Sequence, residues 1–136
     1  MILVVDASVT IALIAADEHS DYAAAALVAC GNDRVAVPSL WPYEIANTLV
    51  IMQRKGRIDD AAATYSSLVR NIPVSIRSDE RSERRVLLEI DLARRHDLST
   101  NDASYLALAT TEGMLLATLD KKLTRAAQAE GVYFAA

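Results

Sequence analysis

The sequence predicts an α/β fold: a three-layer sandwich with a mostly parallel central sheet of about five strands. Three observations predict it. Short apolar runs alternate with amphipathic helical segments along the whole chain. Those runs are apolar throughout rather than every second residue, as in strands covered on both faces. Most helical segments begin at a capping residue, and several stop at a glycine.

Ile2–Val5 reads as the first strand. Ser8–Ala16 follows as a short helix. Ser20 or Asp21 caps a second helix through about Ala29, with Gly31 just past its end. "RVAVP" (34–38) is a short strand. "SLWPYEIANTLVIMQRKG" (39–56) is a helix. Pro42 suits its first turn, Ile45, Leu49 and Met52 form a core stripe, and Gly56 stops it. Asp59 is expected to cap "DAAATYSSLVRN" (60–71), and "IPVSI" (72–76) is a third strand. "SDERSERRVLLEIDLARRHD" (78–97) is a long amphipathic helix with Val86, Ile90 and Ala93 expected inward. "LSTNDASYLALATTEG" (98–113) carries another helix, capped near Thr100 or Asn101 and ended by Gly113. "MLLATLD" (114–120) is a strand, "KKLTRAAQAEG" (121–131) the last helix, and "VYFA" (132–135) a final short strand. No repeat or linker interrupts the rhythm, so residues 1–136 read as one domain.

Composition narrows the class. Apolar residues make up 52% of the chain, too many for disorder, and no run approaches the length of a membrane span. No basic segment precedes the first apolar run, so no signal peptide is expected. Cys30 is the single cysteine, which rules out an internal disulfide and fits a reducing, cytoplasmic setting. The net charge of −4 speaks against coating nucleic acid by bulk charge, while leaving room for a local basic rim.

The carboxylates carry the chemistry. Open parallel sheets bind ligands beyond the carboxyl ends of their strands. Asp6 lies just past the first strand and Asp120 just past "LLATL". Glu44 and Asp102 each fall in the first turn of a helix that starts at the same rim. Singly, Glu44 and Asp102 are ordinary complements to a helix dipole, and Asp120 an ordinary cap. Asp6 is harder to explain, because a buried strand end solvates a carboxylate poorly. Four acids from four segments on one rim, with no lysine or arginine expected at a strand end, call for a divalent cation. An all-oxygen set favours Mg²⁺ or Mn²⁺ over Zn²⁺. His19 and His96 lie in loop-like or charged surroundings and are not expected to be catalytic.

"VVDAS", "VPSLWPYEIANTL", "LSTNDASYLALA" and "LLATLDKKLTRAAQAEGV" together resemble the PIN-domain ribonucleases, specifically the VapC-type toxins of prokaryotic toxin–antitoxin pairs. The likeness runs in order over nearly the whole chain, which implies a single PIN domain. It carries the family's acidic site onto Asp6, Glu44, Asp102 and Asp120, as catalytic residues and metal ligands. Ser8, Asn47 and Thr118 match small polar positions that flank those acids. The resemblance implies a Mg²⁺-dependent endoribonuclease, Mn²⁺ substituting, which hydrolyses RNA phosphodiester bonds with a metal-activated water. It also implies a homodimer, a VapB-like antitoxin partner, and no membrane.

Other residues near the rim have two readings. Trp41 and Tyr43 could stack on RNA bases or simply pack. Arg81, Arg84, Arg85, Arg94 and Arg95 form either a solvated basic helix face or a rim for an RNA backbone. Two rival functions are a phosphorelay receiver domain and a catalytically silent interaction module. The first needs paired acids after strand one and a strand-end lysine; the second would show a broken acid set. A flap-type DNA nuclease of the same broad fold would be longer.

Overall fold

The structure is a computed structural model describing residues 1–77 and 82–136. Its elements are β1 (Leu3–Val5), α1 (Ala7–Ile14), α2 (Asp21–Cys30), β2 (Val35–Pro38), α3 (Trp41–Arg54), α4 (Ala61–Asn71), β3 (Val74–Arg77), α5 (Glu83–His96), α6 (Thr100–Glu112), β4 (Leu115–Ala117) and α7 (Lys121–Ala129), with a 3₁₀ turn at Ala16–Glu18. Every residue of β1 and β2 is buried, as continuous apolar runs require of a sheet covered on both faces.

The four strands pair in the order β3-β2-β1-β4, all parallel. The path from β1 through β2 to β3 steps one way, and the return from β3 to β4 crosses back. Right-handed crossovers therefore put α1–α4 over one face and α5–α7 over the other. The packing agrees: α1 lies on α2 and α3, and α3 on α4, whereas α6 lies on α5, α7, β1, β2 and β4. Direction reverses between β1 and β4, so the crevice beyond their carboxyl ends is the topological switch point where such sheets take ligands.

The three-layer α/β expectation holds, with four strands in the sheet. The fifth, "VYFA", contributes one parallel bridge between Tyr133 and Leu116. Most boundaries move by a residue or two; α5 starts at Glu83, capped by Ser82, β4 ends at Ala117, and the stretch 78–81 of the expected helix lies outside the described residues. The first helix starts at Ala7 because Asp6 is its N-cap. Asp60, not Asp59, caps α4, and Ser99, rather than Thr100 or Asn101, caps α6. In each case the side chain one step upstream of the first helical residue reaches the third N–H. The core stripe of α3 is as expected, with Ile45, Leu49 and Met52 buried.

The inward face of α5 differs from the expected one at two of its three residues, Ala93 being buried as expected. Val86 and Ile90 are exposed, and Leu87 beside them; Arg85, Leu92 and Ala93 are buried. The helix carries two apolar stripes about 100° apart. The stripe facing the protein runs through Arg85, which a count of hydrophobic residues passes over. The expected basic face of α5 dissolves accordingly. Arg85 points in, while Arg94 and Arg95 pair with Asp91, and Arg95 also with Glu130. Arg84 is exposed, and Arg81 lies outside the described residues. A strand-end cation does exist: Arg77 closes β3, at the edge of the sheet. No helix among the described residues is long and apolar enough to cross a membrane.

Candidate active site

Asp6 begins at the backbone. Its N–H donates to Ala117 O (3.2 Å), which ties the end of β1 to the end of β4. The extended backbone of Asp6 lets its side chain fold over the first turn of α1, where Oδ1 accepts from Val9 N–H (3.1 Å) and Ser8 Oγ (2.6 Å). Thr118 Oγ1, from the far side of the switch point, donates to Oδ2 (2.5 Å). Asp6 as a whole is only 4% exposed. Its place at a strand end thus has a local explanation, as a helix cap in a buried position held by three donors. Burial raises its pKa above the ordinary value, and nearby Asp102 adds to the rise. The bonds from Ser8, Thr118 and Val9 oppose this without cancelling it.

Ser8 and Thr118 do more than touch Asp6. Ser8 Oγ accepts from Leu119 N–H (3.0 Å) and Thr118 Oγ1 accepts from Asp120 N–H (3.0 Å). Each hydroxyl therefore gives its proton to Asp6 and takes one from the β4–α7 loop. That loop carries Asp120, whose Oδ1 caps α7 through Leu123 N–H (2.8 Å). Asp120 is exposed. Thr118→Val keeps the shape of the side chain but leaves a buried Asp6 oxygen and the Asp120 N–H without their partner. The expected result is a loss of about 1–3 kcal/mol in urea unfolding at neutral pH, smaller at mildly acid pH where Asp6 takes up a proton.

Glu44 and Asp102 come from the helix starts. Glu44, in the first turn of α3, is half-buried, and Tyr105 Oη donates to its Oε1 (2.5 Å). Burial raises its pKa; the Tyr105 bond opposes this, and the charges of Asp102 and Asp6 reinforce it. Asp102, in the first turn of α6, is raised by burial and by Asp120. The charge of Asp102 thus opposes ionisation of Asp6 and Glu44, that of Asp6 opposes ionisation of Glu44, and that of Asp120 opposes ionisation of Asp102. None of the ion pairs among the described residues involves them.

Asn47 is exposed and makes no hydrogen bond to Glu44 among the described residues. Tyr105 does that work from α6, three residues after Asp102 and one turn along the same face. Buried by α6 packing, it reads in the sequence as one more apolar residue of "SYLALA"; its spacing from Asp102 is the only hint. Tyr105→Phe is expected to lower cleavage of an RNA oligonucleotide roughly tenfold, within the span of a positioning hydrogen bond. It should also move the acid limb of the pH–rate profile to higher pH, because the bond that restrains the Glu44 pKa is gone. His19 and His96 stand apart from the acids, bonded to Asp21 and Glu130. Trp41 is a core residue whose Nε1 donates to Thr10 Oγ1 (3.2 Å), while Tyr43, next to Glu44, is 77% exposed.

The donor set suits a hard divalent cation. It is oxygen only, and the raised pKa values of Asp6, Glu44 and Asp102 mark negative charge that a cation would relieve. Among the described residues no three His, Cys, Asp or Glu side chains stand close enough to hold an ion alone. Mg²⁺ is content with one or two carboxylates, keeping waters or substrate phosphate as its other ligands. The fit is therefore to a cation shared with a phosphate-bearing substrate.

A parallel sheet with this crossover and four acids at its switch point defines a class, and the comparisons name it. The PIN domain family matches residues 3–129, so the chain belongs to the PIN-domain family. It is 32% identical over 125 residues to ribonuclease VapC3 of Mycobacterium tuberculosis, in both strain CDC 1551 / Oshkosh and strain ATCC 25618 / H37Rv, covering 91% of this chain and 86% of the relative. It is also similar to the crystal structure of PAE2754 from Pyrobaculum aerophilum, with a TM-score of 0.65 and 28% identity, covering 93% of this chain and 87% of that one.

Proposed function

We propose that the protein is a Mg²⁺-dependent endoribonuclease, the toxin component of a VapBC-type toxin–antitoxin pair. The observation that carries this reading is that Asp6, Glu44, Asp102 and Asp120 stand at the sheet's carboxyl-end rim with no ion pair to any of them among the described residues. The likeness to VapC3, named a ribonuclease, supports RNA as the substrate.

The divalent cation, Mg²⁺ or Mn²⁺, supplies Lewis acidity and charge for a phosphate oxygen. Asp6 and Asp102 are the residues that would hold it, and Asp120, from the α7 cap, would act on it through a bound water. Asp6 is the rigid member, because its three donors fix both oxygens. Glu44, with its raised pKa and its Tyr105 restraint, is placed to orient the attacking water and accept its proton. Water attacks phosphorus in line, the P–O3′ bond breaks, and the products carry 5′-phosphate and 3′-hydroxyl ends. Exposed Tyr43, beside Glu44, offers a ring on which an unpaired base can stack.

The partners follow from the same reading: an RNA substrate, a second copy of the chain, and an antitoxin, all in the cytoplasm. An anionic crevice without its cation attracts an Arg or Lys side chain, so the antitoxin tail is expected to place one beside Asp6 and Asp102. The test is cleavage of single-stranded RNA by the purified protein with Mg²⁺, with Mn²⁺ and in EDTA. Cleavage with either ion and none in EDTA supports the reading; full turnover in EDTA overturns it.

A further inference from the structure

A polar cavity of about 60 Å³ sits at the carboxyl ends of β2 and β3. Its polar lining is Ser39, Arg77, Arg85, Glu89 and Ser104. The volume suits a group the size of a phosphate, about four times the space one water needs. Ser39 precedes the α3 turn that carries Glu44, and Ser104 follows Asp102 by two residues. The cavity and the acids therefore lie along the same carboxyl-end rim of the sheet without sharing a lining residue.

Arg77 Nε and Arg85 Nη2 are buried and make no hydrogen bond among the described residues. Arg85 is 7% exposed, on the inward stripe of α5. Ser104 Oγ gives its one proton to Asn101 O (2.6 Å), so the donors an anion would meet here are the two arginines. A buried arginine N–H without an acceptor is costly, and a phosphate oxygen would supply the acceptor. Among the described residues the lining carries two guanidiniums and one carboxylate, that of Glu89. A planar guanidinium is suited to phosphate oxygens.

We infer that Arg77 and Arg85 form a subsite for a phosphate of the RNA backbone next to the one being cut. The inference rests on the ribonuclease reading and adds to it how the strand is laid across the rim. A single strand would place the scissile phosphate at Asp6 and Asp102. The chain would then continue toward the β3 edge, where its neighbouring phosphate meets the arginine pair. These groups position the substrate and take no part in bond breaking.

The test uses the full chain with Mg²⁺ and a short single-stranded RNA whose cut site has been mapped. Oligonucleotides carrying one neutral methylphosphonate at each position flanking the cut are compared with the parent. In the wild type, one flanking position should raise KM roughly five- to tenfold with kcat within about twofold. Arg85→Gln should raise KM for the parent RNA by a similar factor and become indifferent to that methylphosphonate. Its salt dependence of kcat/KM should flatten by about 0.7 in log–log slope, the loss of one single-strand phosphate contact. Arg85→Lys should recover part of the salt slope but not the full affinity. If Arg85→Gln does not fold, Arg77→Gln, on the half-buried edge strand, must show the same indifference. Cleavage with the same methylphosphonate profile in wild type and variants would overturn the subsite and leave the ribonuclease reading standing. No metal-dependent cleavage by the wild type would overturn both.

Discussion

Asp6→Asn is expected to lower RNA cleavage in Mg²⁺ by roughly a thousandfold or more, as removal of a central electrostatic group does in enzymes, while the metal-free protein melts at or above the wild-type temperature. The two halves of this result have one cause. Asn is as good an N-cap as Asp, so its Oδ1 can keep the bonds from Val9 N–H and Ser8 Oγ. Its Nδ2 would face Thr118 Oγ1, a hydroxyl with a second lone pair to accept it. Fold and cap survive, the buried negative charge goes, and with it the ligand for a cation. Asp6→Ala is the contrasting control. It loses the cap as well, at a cost of about 0.5–2 kcal/mol, and should be both inactive and less stable. Circular dichroism melts in EDTA beside cleavage assays in Mg²⁺ separate the cases. An active Asp6→Asn would remove Asp6 from the chemistry; an inactive variant that melts well below wild type would make it a structural cap alone.

Asp6 also illustrates what a sequence discloses and what it hides. A carboxylate after an apolar strand is visible as an anomaly in "VVDAS", and the alternation of runs is enough to put it on the ligand-binding rim. The helical period of α3 likewise points straight to Ile45, Leu49 and Met52. Three kinds of fact were out of reach. Caps shift by one residue, as at Asp60 and Ser99, because adjacent Asp, Ser and Thr residues compete for the same N–H groups and only the backbone turn decides. The face of α5 was misjudged because an arginine lies on its inward stripe, and apolar patterning cannot register a buried charge. Tyr105 was missed because its hydroxyl meets Glu44 across 61 residues of sequence. That contact exists only once α3 and α6 lie side by side. The long-range bond from Thr118 to Asp6 has the same character: its β-branched residue is explained by the strand alone until β1 and β4 are seen to be neighbours.

Without a cation, the wild-type protein should lose stability as pH rises from about 4 toward neutrality, and Mg²⁺ should restore it. Asp6, Glu44 and Asp102 all have raised folded-state pKa values, for which burial is the leading cause. Below the ordinary carboxyl values of about 4, folded and unfolded chains are both protonated, and these groups cost nothing. Above them the unfolded chain releases protons that the folded chain still holds. The folded state then binds more protons than the unfolded, and the unfolding free energy falls with pH. The decline continues until pH passes the folded values, where the penalty levels off at about 1.4 kcal/mol for each pKa unit of rise. Because the three acids influence one another, the titration belongs to the cluster. A cation bound only by the folded chain reverses the trend, adding about 2.7 kcal/mol at a hundredfold excess over its Kd. It should do so most at neutral pH and least near pH 4, where protons already occupy the carboxylates. Asp102→Asn should flatten the pH slope in EDTA and blunt the response to Mg²⁺, since it removes one raised carboxyl and lowers its neighbours. Thermal melts of the wild type and Asp102→Asn from pH 4 to 8, with EDTA and with Mg²⁺, measure all of this. A wild-type melting temperature that climbs with pH in EDTA and ignores Mg²⁺ would mean that the acids serve only the helix starts on which they sit.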